Sequence, residues 1–211
     1  ALGPVIGGML IAWKGEILGV RLAFILALAF ALLALVLQQV FVEDRKTGSK
    51  AERNPLKLFG RMSPAFRKLL VADILVRFSE QIPYAFMAIW VINNNGLSPV
   101  TFGLLTTIEM ITAMLVYIPV AYLADRGSKK PFIVTTFAFF TLFPLILMFS
   151  HNVWMFVLAF IIRGLKEFGE PTRKALIMDL APEGQKAAMF GLYYLLRDVV
   201  VSLAAFSAGF L

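Results

Sequence analysis

These 211 residues contain no cysteine and a single histidine, His151. Without thiols neither a disulfide framework nor a thiolate site can form, and one imidazole in a turn-like stretch supplies neither a His-based catalytic pair nor a histidine metal site. No metal, cofactor or enzymatic activity is expected. Charge is scarce too: 16% of residues are charged and 60% are apolar, where soluble domains carry roughly 25% and 45 to 50%. That excludes an ordinary soluble domain and points to a polytopic membrane protein, an all-α helix bundle. The glycine that would begin a G-x-x-x-x-G-K-[ST] phosphate loop is missing before Gly127, Ser128 and Lys129, so direct ATP hydrolysis is not expected. The net charge of +7 sits in loops between apolar segments, so bilayer topology accounts for it and nucleic acid is not a partner.

What the chain has is one long polar run, residues 43–68. It carries Arg45, Lys46, Lys50, Arg53, Lys57, Arg61, Arg67 and Lys68 against Glu43, Asp44 and Glu52. Basic loops stay on the cytoplasmic side during insertion, which orients every other span. Residues 1–13 are too short for the roughly 20 residues that cross a bilayer, and read as part of a truncated span. Residues 14–20 read as a short turn, and 22–42 as a full span without charge. Asn54 with Pro55 and Ser63 with Pro64 have the form of helix N-caps followed by proline at the first helical position. The first should start a short amphipathic helix on the inner membrane surface, and the second a span to about Ile92. Asn93, Asn94, Asn95 and Gly96 make an outer turn, Ser98 and Pro99 cap the next span, and residues 125–131 return the chain to the inside. Residues 131–162 carry no Asp, Glu, Lys or Arg and are too long for one span, so a break is placed at Ser150, His151 and Asn152. The following helix should reach about Met178, and a last span fills 187–211. On this topology fourteen of the twenty basic residues lie inside, among them Arg173, Lys174 and Lys186. Trp13, Trp90 and Trp154 all fall at outer ends, where amphipathic rings prefer to sit. The chain opens and closes inside apolar runs, which reads as an interior piece of a longer protein.

Two motifs and a weak repeat carry a resemblance. Gly3, Pro4, Gly7 and Gly8 match the end of a G-P-x-x-G-G motif. Leu123, Ala124, Asp125, Arg126, Lys129 and Lys130 match a G-x-L-A-D-R-x-G-R-R loop, with Ala121 and Ser128 in place of its two glycines and Gly127 one place early. The first and last ten residues agree at an offset of 201, with Leu2 over Leu203, Gly8 over Gly209 and Leu10 over Leu211. The chain thereby resembles the major facilitator superfamily, in particular efflux-type members of bacteria and archaea. The resemblance implies part of a twelve-helix, two-half transporter fold: helices five and six in residues 1–42, the cytoplasmic loop between halves in 43–68, and helices seven to eleven in 69–211. Helices one to four and twelve would be partners from the same chain. It also implies a secondary active transporter in the cytoplasmic membrane, a small-molecule substrate, protons as the coupling ion, export, and a gating role for Asp125 and Arg126. A seven-helix receptor or photoreceptor is the alternative, opposed by the lack of a lysine for a retinal Schiff base in the last span.

Ionisable groups inside a membrane are costly and mark interior or water-filled surfaces. Asp73, Arg77, Glu80, Gln81 and Tyr84 follow at helical spacing as one polar stripe, with Asp73 and Arg77 expected as a structural pair. Glu109 stands on the next span. Arg163 with Glu167 and Lys166 with Glu170 are expected to pair at i to i+4, and Arg197 joins the candidates from the last span. Glu80, about eleven residues into its span, is placed near the midplane, where secondary transporters bind substrate. Burial there and the cations Arg77, Arg163 and Arg197 would act on its proton in opposite directions. Glu80 is therefore the leading candidate for proton coupling, and Glu109 its rival.

Overall fold

The computed structural model describes residues 2–42, 54–125 and 127–208. Its elements are α1 (Gly3–Lys14), α2 (Glu16–Phe41), α3 (Pro55–Gly60), α4 (Pro64–Ala88) with a π-helical end at Ile89–Asn94, α5 (Pro99–Asp125), α6 (Lys130–Met148), α7 (Val153–Leu165), a 3₁₀ segment (Lys166–Gly169), α8 (Glu170–Leu180) and α9 (Lys186–Ala208). Among the described residues four helices, α2, α5, α6 and α9, are both long and apolar enough to cross a membrane. α4 is long enough at 25 residues but carries Asp73, Arg77 and Glu80.

The expected caps form: Asn54 accepts from the backbone N–H of Leu56 at 3.0 Å, Ser63 from Phe66 at 3.2 Å and Ser98 from Thr101 at 3.1 Å, and Asn152, read from the sequence only as part of a break, caps α7 by accepting from Met155 at 2.9 Å. Each satisfies an otherwise orphan donor of a first helical turn. The break at Ser150 to Asn152 also falls where expected.

Two local expectations need correcting. The turn expected over residues 14–20 shrinks to Gly15, whose φ of 79° lets one residue reverse the chain, while Glu16 already begins α2. The reversal is tight: a Cβ on Gly19 would stand 2.5 Å from Ile11 Cα. The short helix α3 does not lie wholly on the membrane surface. Its Leu58, with Met62 just beyond, is buried in a cluster with Phe66, Leu70, Ile177, Met189, Leu192 and Tyr193. That cluster fastens α4, α8 and α9 at the α3 end of the bundle, because burying these side chains against protein removes more apolar area than laying them on a surface.

A second apolar cluster, Met87, Val91, Leu105, Phe143, Leu147, Phe156, Ala159 and Phe160, closes the opposite end of the bundle, across α4, α5, α6 and α7. Trp90 helps hold it, donating its indole N–H to the Leu147 carbonyl at 3.1 Å. α1 packs antiparallel on α5: a Cβ on Gly8 would meet the Pro99 carbonyl oxygen at 2.7 Å, and one on Gly103 would collide with the Pro4 carbonyl. Gly3 and Gly7 have nothing within 4 Å of such a Cβ and line a cleft toward α2 with Ile6, Leu10 and Ala27. The close contact between α1 and α5 therefore runs through Gly8, with Gly103 as its partner across the interface.

Candidate functional site

Between the two apolar clusters lies a layer of charge. Its first centre is Asp73 on α4, which is 1% exposed. Arg173 of α8 pairs with it directly, Tyr193 of α9 donates its hydroxyl at 3.0 Å, and Arg197 of α9 approaches to 3.7 Å. Arg77, the expected partner one turn along α4, stands at 4.0 Å. The Asp73–Arg77 pair is present but peripheral, and Arg173 is the principal partner. Arg173 is itself 2% exposed and not the inner-loop cation the topology count made it. Glu170, Arg173 and Ile177 are spaced i, i+3, i+7 and all buried, a helical stripe the sequence did contain.

Glu80 and Glu170 form the second centre. Lys166 pairs with Glu80, and Arg77 reaches Glu80 at 3.5 Å and Glu170 at 3.2 Å. Arg173 also pairs with Glu170, and Lys174 lies 3.5 Å from it. Arg77 thus spans α4 and α8, with its guanidinium over the Phe140 ring at 4.7 Å. The third centre joins α5 to α7: Arg163 donates to Glu109 at 2.5 Å and rests over the rings of Tyr84 and Phe143 at 5.0 and 5.4 Å. A Cβ on Gly164 would meet the Glu109 carbonyl at 2.5 Å, so a residue without a side chain is what lets α7 approach α5 here.

These contacts overturn both pairs expected within the stretch from α7 to α8. Arg163 goes to Glu109 instead of Glu167, and Lys166 to Glu80 instead of Glu170. The cause is the 3₁₀ segment. Turning about 120° per residue rather than 100°, it no longer stacks i over i+4. Consecutive side chains face three different helices: Lys166 meets Glu80 of α4, Glu167 accepts from Tyr117 of α5 at 3.2 Å, and Phe168 stacks on Phe132 of α6 at 5.7 Å. The N–H of Gly169 completes the contact with α6, donating to Thr136 Oγ1 at 2.5 Å.

The remaining candidates lie around this layer. Gln81 is half-buried, and Tyr84 is exposed apart from its contact with Arg163. Arg197 stacks on Tyr194 at 4.1 Å and also holds Asp198, whose side chain is 60% exposed. Beyond the layer Lys129 pairs with Asp179 of α8, and Lys130 begins α6. Asp125 ends α5, and Arg126 lies outside the described residues. Arg173 and Tyr117 also belong to the layer, although neither stands out as a site residue in the sequence.

A family model described as Major Facilitator Superfamily matches residues 69–211, well over half the chain. The MFS-type transporter YqjV of Bacillus subtilis (strain 168), itself uncharacterized, is 26% identical over 141 residues, covering 66% of this chain and 34% of the relative. The match thus spans about a third of that relative's length. No solved structure matches. The chain, an all-α membrane protein with its charge gathered inside a helix bundle, belongs to the Major Facilitator Superfamily.

Proposed function

We propose that this chain is part of a secondary transporter that exports a small organic solute across the cytoplasmic membrane in exchange for protons, by alternating access. Membership of the family removes the receptor alternative. α1 and α2 are helices five and six of the first half, residues 43–68 link the halves, and α4 to α9 are helices seven to eleven, with helices one to four and twelve supplied by the rest of the protein. The family match, which starts at residue 69, supports that division.

The observation that carries the reading is the enclosed layer of paired charge. Isolated ions at membrane depth cost several kcal/mol, so a bundle keeps them where they bind, gate or move ions. Here Glu80 with Lys166 and Glu109 with Arg163 tie the tenth helix to the seventh and eighth. Any rocking of those helices has to exchange these pairs for contacts with water, a proton or substrate. Gln81, Tyr84 and Arg197 stand at the rim of the layer as substrate contacts. α1 against α5 forms the outer seal between halves. Asp125, Arg126 and Lys129, with Asp179, form an inner latch that holds one of the two states, and the G-P-x-x-G-G match of α1 favours export.

The test needs no substrate. Lys14 and Asn94 are exposed at the outer ends of α1 and α4, and the absence of native cysteine lets spin labels be placed there alone. In the whole protein in lipid, the Lys14→Cys, Asn94→Cys pair should show a short and a long distance whose proportions change with pH. A single distance at every pH would refute alternating access gated by protons.

A further inference from the structure

We infer that Glu167, held by the hydroxyl of Tyr117, is the carboxylate that takes up and releases the coupling proton. The inference rests on the proton-coupled reading above and assigns its site.

Four of the five carboxylates in the layer are ion-paired. Asp73 has Arg173 and Arg197, Glu80 has Lys166 and Arg77, Glu109 has Arg163, and Glu170 has Arg77, Arg173 and Lys174. Protonating Glu80 or Glu109 leaves Lys166 or Arg163 buried without its one carboxylate partner, which in protein interiors is strongly destabilising, and protonating Asp73 or Glu170 removes one of the two carboxylates that Arg173 pairs with. Glu167 alone has no cation within 4.0 Å among the described residues, and its bonded neighbour is a neutral phenol at 3.2 Å. A phenol hydroxyl can donate to a carboxylate or to the carbonyl oxygen of the neutral acid. Glu167 can therefore gain or lose a proton without breaking an ion pair. It is also only half-buried, which leaves a route for the proton.

The charged groups around it define what its proton does. From α5 it faces Tyr117, and it acts electrostatically on Glu109 together with Arg163, Lys166 and Glu80. Tyr117 in turn feels Glu170 and Arg77. α6 brings no titratable side chain after Lys130, and Arg197 of α9 is occupied by Asp73 and Asp198. With Glu167 ionised, Asp73, Glu80, Glu109, Glu167 and Glu170 balance Arg77, Arg163, Lys166, Arg173 and Arg197. A proton on Glu167 leaves one positive charge in excess in a region that solvates charge poorly. Glu167 lies in the 3₁₀ segment between Lys166 and Glu170, so that excess falls on the segment tying the tenth helix to three neighbours. Relief comes from moving a cation toward water, which is a change of state. The proton enters from one side, resides on a Glu167 oxygen, and leaves to the other.

Two measurements on the whole protein test this. In the outer Lys14→Cys, Asn94→Cys pair, Glu167→Gln should abolish the pH dependence of the two distances while leaving both populated. In infrared spectra, a protonated-carboxyl band that titrates in the parent protein should be missing from Glu167→Gln. A Glu167→Gln protein that responds to pH like the parent, or a titrating band lost in Glu109→Gln instead, would overturn the assignment. No pH response in the parent would defeat the proton-coupled reading first and this inference with it. Where Glu167→Gln fails to fold, Tyr117→Phe should displace the midpoint of the pH response by about one pH unit, the worth of one hydrogen bond to a charged group. An unmoved midpoint there also counts against Glu167.

Discussion

Asp73 shows what a single carboxylate does in this bundle. It meets Arg173, Arg197 and the Tyr193 hydroxyl, and so binds α4 to α8 and α9 at once. Asp73→Asn removes the charge that buried Arg173 and partly exposed Arg197 share, and because Glu170 still holds Arg173 and Asp198 still holds Arg197, the cost falls below the roughly 3 to 5 kcal/mol of a fully unpaired buried charge. We expect a clear drop in the thermal unfolding temperature of the purified protein. Partial recovery should follow when Arg173→Met is added, because the positive charge left in excess by Asp73→Asn is then reduced. Equal stability of Asp73→Asn and the parent would mean that Arg173 is satisfied by Glu170 alone. At this scale the residues were legible but their partners were not. Helical spacing identified Asp73, Arg77, Glu80 and Glu109 as interior because lipid does not tolerate them. It could not reveal that Arg173 turns inward, since a basic residue near the end of a span reads as a loop cation. The pairing of Arg163 and Lys166 across helices depends on a 3₁₀ turn whose sequence, Lys166–Gly169, reads equally well as α-helix.

Among the elements, α1 and α5 differ most from their appearance in sequence. The motif resemblance treats Gly7 and Gly8 alike, yet Gly8 is pressed against Pro99 and Gly7 is not. Gly103, which stands in no motif, is as tightly confined as Gly8. Gly103→Ala and Gly8→Ala should therefore force α1 away from α5, at a cost of about 1 to 3 kcal/mol for an overpacked contact. In the outer distance pair they should deplete the short distance, while Gly7→Ala leaves the proportions unchanged. If Gly7→Ala is the more disruptive, the contact is not the one described. Helix starts were the most readable feature of the chain, because Asn54, Ser63 and Ser98 each satisfy local N–H groups whatever packs around them. Helix ends and breaks were less so. Gly15 turns the chain in one residue where seven were expected, and α3 is drawn into an apolar cluster by Leu58 and Met62, contacts made across the sequence with Phe66 and Met189.

At the scale of the whole molecule, the exposed surface combines side chains suited to lipid with a carboxylate that is not. Nearly all of α2 is exposed and apolar, and Leu28 is 59% exposed. On α9 the Asp198 side chain, beside exposed Leu195 and Val199, is 60% exposed, yet hydrocarbon would not tolerate a carboxylate there. The α2 surface should meet lipid, and Asp198 should face water that reaches the charged layer. The most direct measurement compares a cysteine at each place in the whole protein in intact membranes, using a small hydrophilic thiol reagent. Asn94→Cys, labelled from outside, and Glu183→Cys, labelled only after the membrane is opened, fix the orientation. Asp198→Cys should react and Leu28→Cys should stay unlabelled, whichever side the reagent enters from. Equal labelling of the two, or labelling of Leu28→Cys alone, would contradict a wet, charged interior and the transport reading built on it.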